Sequence, residues 1–188
     1  LEMSNTKTRE QLRAILHEYG LPVLGVCTPL PPNAKELVYA PISDENPAVP
    51  VVNGRRIVGC GSWLALTAEP LLAYPSCLLA HAAPAPSQNS TFCMQWYASF
   101  AITYRRPLYF CRTNDGATTD TYTDATQADQ PDMASHYGYW QKNCNASLRW
   151  RAFSGHQVHA STRGPELLAA VAGTHVAMMQ RMLMYEAR

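Results

Sequence analysis

Six cysteines, spread widely along the chain, constrain its fold more than any other sequence feature. They are Cys27, Cys60, Cys77, Cys93, Cys111 and Cys144. No two of them are close enough in sequence to form a zinc knuckle or a CxxC redox motif. Several stand beside proline, glycine or asparagine, which are typical of turns and loops. A disulfide restrains such loops effectively, so we expect the cysteines to be paired.

The pattern of cysteines also predicts a compartment. Sequence alone does not select among the possible pairings, but closing the two intervening loops favours one set. This set is Cys77–Cys93, Cys111–Cys144 and Cys27–Cys60. Each bridge would contribute about 3 kcal/mol by restricting the unfolded chain. Structural disulfides persist outside the reducing cytosol, so the predicted localisation is extracytoplasmic: secreted, periplasmic or at the cell surface. The alternative is buried thiols in an intracellular protein.

The composition indicates a globular chain without a strong electrostatic preference. Of the 188 residues, 47% are hydrophobic and 15% are charged, which is sufficient for an apolar core. The formal net charge is +1, so we expect no binding to nucleic acid. The sequence contains no transmembrane segment of about 18 apolar residues. Residues 1–3 are interpreted as a possible cloning remnant, which leaves open whether a signal or membrane anchor was removed.

The order of elements predicts a single α+β domain over residues 1–188. Amphipathic spacing predicts a first helix over 8–19 and a last helix that begins near Pro165. Residues 62–72 fit a helix or a buried strand, and 75–83 fit a short helical turn. The predicted strands are 22–26, 37–40, 48–52, 56–58, 92–103, 108–111, 137–140 and 148–153, with a hairpin turn at Asn53-Gly54. We therefore expect a strand-rich antiparallel core bracketed by an N-terminal and a C-terminal helix, stabilised by disulfides.

Residues 112–135 are predicted to form a long polar surface loop. Thr, Asp, Gln, Ala and Gly dominate this segment, and large apolar side chains are few. Aromatic side chains within and just after such a loop offer contact area at small entropic cost. The predicted binding residues are Tyr122, Tyr137, Tyr139 and Trp140. Their partner is expected to be a protein or a glycan surface, with no cofactor, and the oligomeric state stays open.

The last helix carries a methionine-rich apolar stripe. The residues predicted to face inward are Leu168, Val171, His175, Met178, Met179, Met182 and Tyr185. A helix of this kind either packs into its own core or forms an adaptable surface for a partner. We expect core packing.

A thiol enzyme is the second functional hypothesis. Cys60 lies between two glycines, which would let a substrate approach the backbone, and a following helix N-terminus would stabilise an oxyanion. His156 is the predicted base, with His81 as the alternative. The order of Cys60 and then Gly155-His156 is similar to that of papain-like amidases and toxin-type glutamine deamidases, whose flanking patterns are not present. On this hypothesis the Cys–His pair would belong to a small, exported cysteine-dependent amidase or deamidase, without a match to either family.

No metal site is predicted. His156 and His159 would face opposite sides of a strand, and the acidic residues of 112–135 lack the alternation of a calcium-binding loop. The preferred hypothesis is therefore an extracytoplasmic, disulfide-stabilised binding or structural module, for example a surface, pilus-associated, phage-associated or secreted recognition domain. The cysteine-dependent enzyme is the alternative.

Overall fold

The computed structural model describes residues 5–105, 118–128, 133–143, 146–155 and 157–186. Contacts divide the chain into two compact units, one within residues 3–107 and one within residues 108–188. The first unit is helical, whereas the second contains the sheet and the last helix. The α+β class and the helix at each end are thereby confirmed. A single domain over 1–188 stays a prediction.

The first unit is built around one central helix. Its elements are α1 (Thr6–Glu18), α2 (Ala34–Tyr39), α3 (Gly54–Thr67), the 3-10 turn η1 (Pro70–Leu72), α4 (Ala73–Ala80) and α5 (Gln88–Thr103). Helices α1 to α4 all pack against α5, whose side chains are buried on most sides. The Ser87 hydroxyl caps α5 by accepting a hydrogen bond from the Ser90 backbone N–H.

The predicted strands of this unit are wrong. The run 92–103 lies within α5, and because that helix is buried nearly all round, its sequence lacks the polar face that marks a helix. The predicted hairpin turn at Asn53-Gly54 is the start of α3, where the Asn53 side chain accepts a hydrogen bond from the Arg56 N–H. Asparagine is favoured both at hairpin turns and at helix N-caps, so the local sequence does not distinguish them. Residues 37–40 belong mostly to α2.

A buried ion pair joins three parts of the first unit. Arg9 of α1 donates to the Glu69 carboxylate at 2.5 Å, and the two side chains are 6% and 4% exposed. The same guanidinium donates to the carbonyl oxygens of Ala101 and Tyr104, where α5 ends. Arg9 therefore satisfies carbonyl groups that a helix C-terminus leaves without an intrahelical partner.

The second unit is a three-stranded antiparallel sheet with one helix on one face. The strands are β1 (Thr119–Ala125), β2 (His136–Asn143) and β3 (Ala146–Ser154), in the order β1-β2-β3, and the helix is α6 (Arg163–Glu186). Strands β2 and β3 and helix α6 confirm the corresponding predictions. The loop predicted over 112–135 is wrong at 119–125, because threonine and tyrosine favour a strand there. Residues 112–117 and 129–132, and the predicted strand at 108–111, lie outside the described residues.

None of the four described cysteines forms a disulfide, so the predicted pairs of the first unit are not present. These pairs were Cys27–Cys60 and Cys77–Cys93. Cys27 is exposed in a loop, whereas Cys93 is completely buried in the middle of α5 and serves there as a small apolar side chain. The pair Cys111–Cys144 lies outside the described residues. Disulfide stabilisation of the fold is therefore not supported.

Helix α6 packs on the sheet through small residues, and not through its methionines. Its buried positions are Pro165, Ala169, Gly173 and Val176. A side chain at Gly173 would collide with the Thr123 methyl group, which an added Cβ would approach to 2.4 Å. The stripe predicted to face inward is exposed instead: Met178 is 58% and Met182 is 63% accessible. Among the described residues, no helix is long and apolar enough to cross a membrane.

Candidate binding surface on the sheet

The register of β1 and β2 places two predicted binding residues side by side. Tyr122 pairs directly with Trp140, and directly opposed residues of an antiparallel pair share one face of the sheet. Two residues to either side of this pair along the strands, Asp120 pairs with Lys142 and Asp124 pairs with Gly138. These residues therefore lie on the same face as Tyr122 and Trp140, opposite the face that α6 covers.

Tyr122 and Trp140 form an exposed aromatic pair. Their ring centroids are 6.2 Å apart with an angle of 43° between the ring planes. Tyr122 is 53% and Trp140 is 40% exposed. The Lys142 ammonium lies 3.9 Å from the Trp140 ring centroid and 5.3 Å from that of Tyr122. Cation–π attraction to both rings therefore holds the cation at this surface. We call Tyr122, Trp140 and Lys142 the aromatic surface.

A strand irregularity positions Trp140 within the aromatic surface. The indole Nε1–H donates to the Ser147 hydroxyl at 3.0 Å. Ser147 pairs with Lys142 beyond a register shift between Gln141 and Lys142. A bulge of this kind bends the strand and changes the direction of nearby side chains. The hydrogen bond fixes the orientation of the ring while its face stays exposed.

The other two predicted binding residues lie on the opposite face. Tyr137 is 4% exposed, and its hydroxyl is 3.2 Å from the His159 Nε2. Tyr139 is half-buried beside Gly173, close to α6. The structure therefore brings Tyr122 and Trp140 together and separates them from Tyr137 and Tyr139. Alternation along the predicted strand 137–140 already separates Trp140 from Tyr137 and Tyr139, whereas the pairing of Trp140 with Tyr122 depends on strand register.

Sequence reasoning did not identify the charged residues around the aromatic pair. Asp120 and Asp124 are exposed, two positions before and after Tyr122, and Lys142 stands two positions after Trp140. The alternating segment from Asp120 to Asp124 is the signal that was available. Its polar composition favoured the loop assignment, because both faces of this edge strand carry polar side chains.

Cys60 does not occupy the position that the thiol-enzyme hypothesis requires. It lies in the middle of α3 and not at a helix N-terminus. Burial raises the pKa of the Cys60 thiol, and the nearby Arg56 guanidinium lowers it by a smaller amount. A thiol with a raised pKa is mostly protonated at neutral pH and is a poor nucleophile. The glycine beside it, Gly61, packs against the Tyr97 ring and leaves no space there for a substrate.

The other parts of the thiol-enzyme hypothesis are the space beside Cys60 and the predicted base. An open pocket of about 300 Å³ lies next to Cys60 and is lined by Gln11, Ala14, Ile15 and Arg56. The alternative base, His81, follows α4 and stacks edge-on against Tyr39, with 5.7 Å between ring centroids. The preferred base, His156, lies outside the described residues.

Metal ligands do not cluster within the described part of the chain, where no group of three or more His, Cys, Asp or Glu side chains could hold an ion. Comparison of the chain with protein-family models, with curated proteins and with solved structures gives no match. The function of the aromatic surface therefore has to be argued from its geometry.

Proposed function

We propose that this protein is a binding module that holds glycans on the aromatic surface. The observation that carries the proposal is the exposed Tyr122–Trp140 pair on the sheet face opposite α6. Two large aromatic rings that stay exposed on a rigid sheet offer contact area with little side-chain entropy to lose. Backbone pairing within the sheet fixes the position of both rings.

The charged groups around the rings favour a glycan over an apolar ligand. A sugar ring has a face of C–H groups and a rim of hydroxyl groups. The C–H face would stack on Tyr122 and Trp140. The carboxylates of Asp120 and Asp124 would accept hydrogen bonds from sugar hydroxyls, and the Lys142 ammonium would donate to them. An aromatic centre with polar groups on both sides matches this distribution.

An extracytoplasmic location is part of the proposal. Glycans of cell surfaces and matrices are displayed there, which agrees with a glycan-binding role. The two cysteines that lie outside the described residues, Cys111 and Cys144, are the remaining predicted disulfide. A mass measurement before and after reduction, with alkylation of free thiols, tests this part. Six alkylated cysteines in the unreduced protein would contradict the disulfide and remove its support for the location.

The binding proposal is tested with the full chain on a glycan array, followed by calorimetric titration of the best oligosaccharide, a readout that does not depend on Trp140 itself. We expect Trp140→Ala to weaken binding roughly 5- to 150-fold, if stacking of a sugar on the ring is worth the about 1–3 kcal/mol that a stacked nucleobase contributes. Trp63→Ala is the matched control, because Trp63 is 58% exposed but lies in the first unit. Absence of glycan binding, or equal losses in both variants, would contradict the proposal and favour a protein partner.

The cysteine-dependent enzyme receives less support from the geometry. The raised pKa of the Cys60 thiol and its mid-helix position are unfavourable for a nucleophile. Brief alkylation of the native protein at neutral pH distinguishes the hypotheses. We expect Cys27 to react before Cys60, because Cys27 is exposed. Preferential modification of Cys60, with loss of an amidase activity, would favour the enzyme.

A further inference from the structure

Helix α6 presents an apolar stripe on the side away from the sheet. The stripe consists of Leu167, Val171, Met178, Met182 and Tyr185, whose spacings of three, four and seven residues keep them in line. All five side chains are exposed, from 44% for Val171 to 82% for Tyr185. No Asp, Glu, Lys or Arg occurs between Leu167 and Gln180. The helix is thus apolar on two opposite sides, and the sheet covers only one of them.

We propose that the α6 stripe is the interface between two copies of this chain, packed helix against helix in antiparallel orientation. A helix that is apolar on both sides is normally buried on both sides. The stripe and the adjoining exposed apolar residues, Leu168 and Met179, are 39–82% accessible. Together they provide an area on the order of the 800 Å² per partner that a stable interface uses.

Charge complementarity specifies the antiparallel orientation. Glu166 and Arg181 are exposed near opposite ends of the stripe, and helical geometry places both on the same side of it. In an antiparallel pair, each Glu166 lies level with Arg181 of the second copy. In a parallel pair, the same residues of the two copies would lie at one level but on opposite flanks of the interface, so neither Glu166 nor Arg181 would meet an opposite charge. A second copy of the chain therefore supplies the complementary charges by itself.

The alignment of the two α6 helices that matches these charges also lets the side chains of their two stripes interdigitate. When Glu166 is level with Arg181 of the second copy, Met178 of the second copy is level with Ala169. Its side chain then lies between Leu167 and Val171, as a knob does in the hole of a coiled coil. The methionines are suited to this role because their flexible side chains fill irregular gaps.

A lipid surface is a poorer match for the stripe. Helices that lie on membranes carry lysine and arginine on the face opposite the apolar one. The opposite face of α6 is buried against the sheet through small and apolar residues such as Ala169 and Val176. The proposal does not depend on glycan binding. If both hold, a dimer carries two aromatic surfaces, and linked sites gain avidity.

Sedimentation of the full chain over a range of concentrations tests the interface. We expect a monomer–dimer equilibrium that Met178→Glu abolishes while the far-UV circular dichroism stays unchanged. Leu66→Glu is the matched control, since Leu66 is a similarly exposed apolar residue, 62% accessible, on α3. A chain that stays monomeric at all concentrations, or a dimer that both variants leave intact, would overturn the proposal.

Charge exchange tests the orientation. We expect Glu166→Arg and Arg181→Glu each to raise the dimer Kd about tenfold, because each places like charges together at two symmetric positions. The double variant restores opposite charges and is expected to return the Kd to within about threefold of the original value. Additive losses in the double variant would overturn the antiparallel arrangement. Neither residue belongs to the aromatic surface, so glycan titration of the same variants separates this proposal from the proposed function.

Discussion

Replacing Gly61 by alanine would place a methyl group inside the Tyr97 ring. The added Cβ would lie 2.1 Å from the Tyr97 hydroxyl oxygen and 2.3 Å from its nearest ring carbon. The ring has little freedom to move, because it is 0% exposed and its hydroxyl is 2.5 Å from the Ser76 Oγ. The substitution therefore forces α3 and α5 apart or breaks the Ser76 hydrogen bond.

Two opposing effects determine the expected change in stability. Overpacking a well-packed core costs about 1–3 kcal/mol. Alanine favours the helix over glycine by about 0.5–1 kcal/mol. The overpacking is expected to lie near its upper value, since the obstructing atoms belong to a buried, hydrogen-bonded ring. We therefore expect Gly61→Ala to lower the free energy of unfolding by about 2–2.5 kcal/mol.

Gly59 provides a matched control within the same helix. It is exposed, and an alanine Cβ there would meet no atom within 4 Å. Gly59→Ala should therefore raise the free energy of unfolding by about 0.5–1 kcal/mol. Urea unfolding followed by circular dichroism measures both variants, with the midpoints compared at a constant m-value. Equal stabilisation by the two substitutions would refute the close contact between α3 and α5.

Three further measurements follow from buried groups of the first unit. Arg9→Met should destabilise the protein by about 3–5 kcal/mol in urea unfolding, because Glu69 would remain buried without its cation. Adding Glu69→Leu should recover much of that loss, and no recovery would contradict the account of the pair. Burial raises the pKa of the Cys93 thiol from 9.0 to about 12. The stability that this group contributes is full below pH 9 and is lost as the pH rises towards 12, so the urea midpoint should fall as the pH is raised above 9, and less so in Cys93→Ala. Native alkylation should leave Cys93 unmodified until the protein unfolds, and rapid modification would show that α5 is not buried as described.

Sequence patterns predicted the elements that expose one side to solvent and bury the other. Helix α1 carries charged side chains along its outer face, and strands β2 and β3 stand on either side of a turn at 143–146. In such elements the periodicity of the side chains reports the local structure directly. Helix α5 has no such signal, because neighbouring helices surround it. Its aromatic and apolar run fits a buried strand as well as a buried helix, and only packing in the folded chain decides between the two.

The candidate site likewise combines features that the sequence predicts with features that only the folded structure determines. Tyr122 and Trp140 were identified from the sequence as exposed aromatic residues beside polar segments. Their direct pairing and the cation over both rings depend on strand register. Register is set by contacts between segments that are distant in sequence, so no local pattern contains it.

Helix α6 shows most clearly what the sequence determined and what it left to the tertiary structure. Its length, its start before Pro165 and its apolar character follow from the residues themselves. From the sequence, the stripe that contains Met178 and Met182 was predicted to face the core. The sheet selected the side with Ala169 and Gly173, because small residues let the helix approach the threonines of β1 closely. The larger methionines were left outside, since close packing rewards the fit of two surfaces and not the hydrophobicity of one.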